Sequence, residues 1–299
     1  MSAARVSDLY RTALVTGASA GLGRAFAEML LAEGVGVWGT ARDIARLAPL
    51  AAGRTPAAFT PVALDLADGR AAAADFARAA EGAGGAFDLV VQNAGYGVFG
   101  EFSGTDFSVW QAQLDAMLLT TARLSHAAFS AMRARRHGCL VHVTSLATEF
   151  PLPFMSGYNI AKAGLSALSE SLIFETRGTA VTVIDFRPGD YRTAFNQSMQ
   201  PATAAAPVSA PAAVTPEGLA KGPTADPRLA RARQILTTNL QSAPPPVRAA
   251  GDLRRALLRQ RRGVVHSGSF FQARLAPLLG RLTPAALVRS AAARYFGLT

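Results

Sequence analysis

Short apolar runs rich in valine and leucine recur through the first two-thirds of the chain, separated by stretches with helical spacing. The runs predict strands at Ala13–Thr16, Val35–Thr40, Val62–Leu64, Leu89–Gln92, Leu140–Thr144 and Val181–Phe186, with a weaker seventh at Val264–His266. Between the first two, Leu22, Ala25, Phe26, Met29 and Leu30 fall at i, i+3, i+4, i+7 and i+8, one apolar face of a helix. Apolar strands alternating with amphipathic helices predict an α/β fold, a doubly wound parallel sheet with helices on both faces. Ligands of such sheets bind beyond the carboxyl ends of the strands. Functional side chains are therefore expected just after strands.

One stretch breaks the rhythm. Pro201–Pro227 is rich in Pro, Ala and Thr and nearly free of large apolar residues. It follows the sixth strand, on the side where a substrate should lie, so residues 196–243 are read as a lid, with a plain surface loop as the competing reading. A helical extension, residues 244–299, completes a single domain over 1–299, and 50% hydrophobic residues suffice for a full core.

Charge changes this picture at one end. The net charge is +10, yet from Arg228 onward thirteen arginines face one acid, Asp252, leaving −2 for the first 227 residues. These arginines alternate with leucine and alanine, as on the wet faces of amphipathic helices, and lack the interleaved aromatics of an RNA-binding motif. No nucleic acid is expected. Apolar runs at Phe270-Phe271, Leu275–Leu279 and Tyr295–Leu298 leave two readings of the tail open: closure of the core or an oligomer interface, which is favoured, and peripheral contact with an anionic membrane. The lone cysteine, Cys139, excludes an intramolecular disulfide and a multi-cysteine zinc site, and its apolar setting predicts a buried hydrophobe. No metal is expected. Met1 to Asp8 carries no apolar segment of a signal peptide, and no window reaches the length of a membrane span, so a cytoplasmic protein is expected.

The candidate chemistry begins where the first strand runs into Thr16-Gly17-Ala18-Ser19-Ala20-Gly21-Leu22-Gly23. Glycines suit a backbone that must turn tightly against a pyrophosphate, with the next helix presenting its N–H groups and positive dipole end. The Gly-x-x-x-Gly-x-Gly spacing resembles the first motif of the short-chain dehydrogenase/reductase family. The resemblance continues in order along the chain. Asp65 follows the third strand, Asn93-Ala94-Gly95 the fourth, and Ser145 ends the fifth; Tyr158 and Lys162 form a Tyr-x-x-x-Lys motif thirteen residues later, and Pro188-Gly189 follows the sixth, with Thr193 beyond. This series covers roughly residues 10–195 and matches the tail only loosely. It implies a nicotinamide cofactor held by Gly17, Ser19, Gly21, Leu22, Gly23, Asp65, Asn93, Ala94, Gly95, Tyr158, Lys162, Pro188, Gly189 and Thr193. It also implies catalysis by Ser145, Tyr158 and Lys162, and a dimer or tetramer built through two long helices.

The residues also make chemical sense by themselves. Tyr158 and Lys162, at i and i+4, share a helix face. A free phenol titrates near ~10, and a neighbouring ammonium, with the positive nicotinamide ring, is expected to lower that value. Ser145 can hydrogen-bond the substrate oxygen and stabilise charge developing there. The second strand ends in Gly39-Thr40-Ala41-Arg42, with Ala41 where NAD-binding relatives place an acid. Arg42, with Ser19 in support, can pair with a 2′-phosphate, which favours NADP(H). One departure stands out: Met117 falls where the family has an asparagine completing a tetrad, which leaves two readings equally open, a relay kept by that residue's backbone carbonyl, or one weakened or rerouted with Thr120 or Thr121 nearby. The expected activity is hydride transfer between NADP(H) and a ketone or secondary alcohol. A cofactor-binding regulator or scaffold of the same fold is the alternative, opposed by the intact Ser145, Tyr158 and Lys162. The epimerase-like extended branch is disfavoured by the glycine spacing. Leu146–Met155, bordering the pocket, is apolar, and with Phe99, Tyr191 and Phe195 as walls it predicts a bulky hydrophobic substrate of lipid, steroid, polyketide or terpenoid type.

Overall fold

A computed structural model of the chain describes residues 4–193, 200–201 and 226–298. Phe195 and most of the predicted lid lie outside the described residues. The strands are β1 (Thr12–Val15), β2 (Gly36–Ala41), β3 (Phe59–Ala63), β4 (Leu89–Gln92), β5 (Gly138–Val143), β6 (Val181–Pro188) and β7 (Gly263–Ser267). They pair in parallel in the order β3-β2-β1-β4-β5-β6-β7. The strand order therefore reverses between β1 and β4, the crevice where such sheets bind ligands. β4 and β5 are buried along their whole length, as helices on both faces require. β3 begins earlier than the apolar pattern suggested, taking in Phe59 and Thr60. Pro61 is tolerated there because β3 is an edge strand, paired only with β2.

The helices are α1 (Gly21–Ala32), α2 (Gly69–Gly82), α3 (Phe107–Leu114), α4 (Thr121–Arg135), α5 (Ser156–Glu175), α6 (Pro227–Gln241), α7 (Pro246–Leu258), α8 (Ala276–Leu282) and α9 (Ala285–Tyr295). A wide π-helical turn, Asp115–Thr120, joins α3 to α4. On one face of the sheet, Phe26 and Leu30 of α1 pack with Leu253 and Leu257 of α7 over Val15, Val37, Val91 and Val141. The apolar stripe read at Leu22–Leu30 is this buried face. On the other, Phe76 of α2 and Leu124, Phe129 and Met132 of α4 cover Leu14, Val90 and Leu140. Cys139 is buried in β5, and burial pushes its thiol up to about 11. His142 is sealed between the hydroxyls of Ser125 and Ser169, each 2.8 Å away, and burial takes it down to about 4, so it is a neutral structural residue.

The basic tail divides in two. α7 is part of the main core, and its Arg254 reaches Glu33 at 2.8 Å. α8 and α9 behave differently: Leu278, Leu279, Leu282 and Leu287 are exposed. Among the described residues no helix is long and apolar enough to cross a membrane.

Candidate active site

The turn after β1 is shaped by its glycines. Gly17 sits at φ +68°, a conformation that only glycine adopts without strain. Asn93 locks the turn from β4: its side-chain amide donates to the Thr16 carbonyl at 3.0 Å, while the Asn93 and Ala94 backbone N–H groups donate to the Thr16 hydroxyl at 2.8 and 3.0 Å. Asn93 thus acts first on the loop. α1 then starts after Ala20, which offers no side-chain cap, so its first N–H groups are open to an anion beside Gly21 and Leu22. A nicotinamide dinucleotide fits this cradle through its pyrophosphate.

Ser145, at the end of β5, and Tyr158 and Lys162, on the first turns of α5, come together as the spacing required. The Ser145 hydroxyl accepts the Ala147 N–H at 3.0 Å and lies in the cleft wall with the Tyr158 phenol. Lys162 is 4% exposed, with Nζ 5.8 Å from the Tyr158 ring centre and donating to the Val143 carbonyl at 2.7 Å. Burial takes the ammonium down to about 8, against the pull of the buried Asp185 carboxylate. Burial raises the Tyr158 pKa, the Ser145 side chain lowers it, and the Asp190 charge raises it again.

A cleft of about 1390 Å³ runs across the carboxyl ends of the strands and brings nearly all the predicted residues together. Ser19, Gly21, Leu22, Arg42, Asp65, Gly95, Ser145, Tyr158, Lys162, Pro188, Gly189 and Thr193 all line it, with Thr193 packed beside Gly21. Gly17, Asn93 and Ala94 also reach its wall. Gly23 is the correction: it does not line the cleft. A Cβ there would fall inside the radii of the Gly17 carbonyl oxygen and the Asn93 amide, so its role is to let the turn seat on α1. Asp65 is exposed and accepts the Ala67 N–H at 3.0 Å. The alignment of Met117 places it beside Lys162: a Cβ on Gly95 would lie 3.0 Å from Met117 Cε and 3.7 Å from Lys162 Nζ. The Met117 sulfur accepts the Tyr96 N–H at 3.4 Å. Thr120 is no substitute, because its hydroxyl packs against Gly69 at the start of α2.

On the substrate side Leu146, Leu152 and Met155 line the cleft, as does Tyr191, whose hydroxyl bonds Ser267 at 2.5 Å. Phe99 does not line it; it is buried against Phe154, with ring centres 5.9 Å apart. The sequence reading missed Arg46, Tyr96 and Asp190 in the wall, and the contributions of α6, α8 and α9 through Leu236, Leu279 and Val288. Arg46, one turn beyond Arg42, was legible as a second cation near β2. The helical contributions were not, because they depend on how the tail folds back.

Comparison with known proteins agrees with this geometry. The family model described as short chain dehydrogenase matches residues 11–204. A Myxococcus xanthus protein described as an uncharacterized oxidoreductase is 37% identical over 182 residues, 60% of this chain and 72% of that protein. A probable NADP-dependent dehydrogenase of Haemophilus influenzae is 31% identical over 179 residues, 60% of this chain and 70% of its own length. The crystal structure of a short-chain dehydrogenase from Streptomyces avermitilis superposes with a TM-score of 0.74 at 27% identity, covering 96% of both chains. With a doubly wound sheet, a glycine-turn cradle and a Ser-Tyr-Lys cluster at the strand ends, the chain belongs to the short-chain dehydrogenase/reductase family of oxidoreductases.

Proposed function

We propose that the protein interconverts a bulky hydrophobic ketone and its secondary alcohol, using NADP(H). The observation that carries the reading is Ser145 and Tyr158 together in the cleft wall, with Lys162 buried beside them. Bound in the cleft, the nicotinamide supplies or accepts the hydride. Reduction then needs a proton at the carbonyl oxygen. Ser145 holds that oxygen, Tyr158 is the group that delivers the proton, and Lys162 orients the phenol from the same helix face. Met117 replaces an amide side chain beside Lys162, so relay from bulk water depends on backbone carbonyls there. A screen of NADPH consumption against ketones of graded size and polarity, repeated with NADH, tests the reading. Oxidation of neither cofactor by any ketone would favour the binding-protein alternative.

NADP(H) is preferred on this reading because β2 ends in Ala41 rather than an acid and Arg42 and Arg46 line the cleft just beyond, while the Asp43 carboxylate between them is engaged by the Ala45 N–H at 2.9 Å. The Haemophilus relative's description points the same way. Arg42→Ala is expected to weaken NADPH binding roughly 10- to 100-fold, the worth of a charge-assisted hydrogen bond, and NADH binding by about twofold at most. Fluorescence titration with both cofactors measures this; equal weakening, or a parent that prefers NADH, sinks the assignment.

Substrate size and polarity follow from Leu146, Leu152, Met155, Leu236, Leu279 and Phe296 in the cleft wall. Its volume exceeds the ~300–1,000 Å³ usual for small-molecule sites, leaving room for a large substrate beside the cofactor. We also propose the lid role for residues 196–243, whose described part, α6, sets Leu236 and Leu240 in that wall. Assembly into a dimer or tetramer is proposed through the long helices, where Leu119, Ile160 and Phe174 are exposed.

The exposed α8–α9 leucines keep the membrane reading of the tail open. Phe270, Phe271 and Leu282 extend the apolar surface, and Arg274, Arg289 and Arg294 are exposed among them. On this reading the protein is cytoplasmic and peripheral. Sedimentation with vesicles containing anionic lipid should then show binding at low salt, at about 1 kcal/mol per basic residue, lost at high salt and absent with neutral vesicles. No binding at low salt retires the reading in favour of an oligomer contact.

A further inference from the structure

Directly after Pro188-Gly189, Asp190 places a carboxyl group in the cleft wall among mainly apolar neighbours. Its position is fixed from a distant part of the chain. Gln272 donates through Nε2 to Asp190 Oδ2 at 2.6 Å and accepts the Asp190 N–H through Oε1 at 3.2 Å. Gln272 lies so close over Gly189 that a Cβ there would stand 2.7 Å from Oε1. Ser269 steadies the same glutamine, its hydroxyl accepting the Gln272 N–H at 3.3 Å. Among the described residues, Oδ1 receives no hydrogen bond and no basic side chain comes within ion-pair distance of the carboxyl group. Its charge is felt at Tyr158 on one side and at Tyr295 of α9 on the other. The residue is half-buried, and its Oδ1 is not sealed off but accessible from the cleft, so a ligand there can supply the donor that the described residues do not. Nothing in the hydride transfer itself uses this group.

We propose that Asp190 is a specificity-determining residue, and that the substrate carries a hydrogen-bond donor, a hydroxyl or an ammonium group, close to its reacting carbonyl, which Asp190 Oδ1 accepts. The inference rests on the cleft being a ketone reductase site, and it narrows the substrate from a plain hydrophobic ketone to an amphiphilic one. Gln272 is the positioning residue: it holds Oδ2, which turns the other lone pairs to the cleft. Substrate and wall then complement each other, apolar along α6, α8 and α9 and polar at one point beside Tyr158.

The test compares acetophenone with its α-hydroxy and α-amino derivatives, with NADPH saturating. The parent should show a KM for each donor-bearing ketone roughly tenfold or more below that of acetophenone, as one hydrogen bond to a charged group allows. Asp190→Asn can still accept from Gln272 but carries no charge. It should bring the acetophenone to α-amino KM ratio close to one, while Asp190→Ala abolishes the preference for both donors. Equal KM values for the three ketones in the parent, or a preference surviving in Asp190→Ala, overturns the proposal while leaving ketone reduction intact. If no ketone is reduced, the reductase reading fails, and calorimetric titration with the three corresponding alcohols decides the role of Asp190. Tighter binding of the donor-bearing alcohols to the parent, lost in Asp190→Ala, supports it; equal binding overturns it.

Discussion

Tyr158→Phe is expected to fold, to bind NADPH as the parent does, and to lose about two to four orders of magnitude in kcat. The substitution removes one hydroxyl, and the ring that remains keeps its place in the apolar cluster with Met117, Met155 and Leu236. What is lost is the hydroxyl that shares the cleft wall with Ser145, on the proposed mechanism the proton source for the substrate oxygen. General acid–base catalysis by a positioned side chain is worth roughly 10²–10⁴ in rate. Stability should fall by no more than the ~1 kcal/mol of one hydrogen bond. The drop belongs in kcat more than in KM, because the interaction is made to a proton in flight. Stopped-flow reduction of a responsive ketone, with NADPH titration and thermal unfolding as controls, measures all three. A variant retaining near-parental kcat would remove Tyr158 from the mechanism.

The burial of Tyr158 also shows where sequence reasoning stops. That Tyr158, Lys162 and Ser145 meet was legible, because strand-end position and i, i+4 spacing are local properties that the sheet then assembles. The phenol's ionisation was not. It depends on burial, on the Ser145 side chain and on the charge of Asp190, which are all tertiary facts. The strands were legible for the same reason as the cluster: apolar runs flanked by glycine and polar turns. β3 was the exception, since Thr60 and Pro61 interrupt the apolar pattern and only the edge position admits them. The tail divides along the same line. Leucine spacing indicated amphipathic helices, but it could not tell that α7 completes the main core while α8 and α9 wall the cleft. The Asp190–Gln272 bond joins residues 82 apart in sequence, and neither residue belongs to a motif that marks it.

Gly23→Ala sets two opposed effects against each other, and their sizes predict which wins. Gly23 lies within α1, where alanine is intrinsically favoured over glycine by about 1 kcal/mol. The added methyl, however, would overlap the Gly17 carbonyl oxygen, the Gly17 carbonyl carbon and the Asn93 amide. Two of these are backbone atoms of a turn held at φ +68°, and the third is the group that bonds the Thr16 carbonyl, so none can yield cheaply. Overpacking of this kind costs about 1–3 kcal/mol or more. The expected net result is a less stable protein whose NADPH affinity falls by at least about tenfold, because relief of the overlap must move the turn that cradles the pyrophosphate. Gly251→Ala supplies the contrast. It lies in α7 with only an arginine terminus 3.7 Å from the new Cβ, so the helix preference should act alone and leave the protein as stable or more so. Denaturant unfolding and NADPH titration of both variants decide the matter. Parental stability and cofactor affinity in Gly23→Ala would mean that the turn after β1 is not packed on α1 as tightly as the geometry requires.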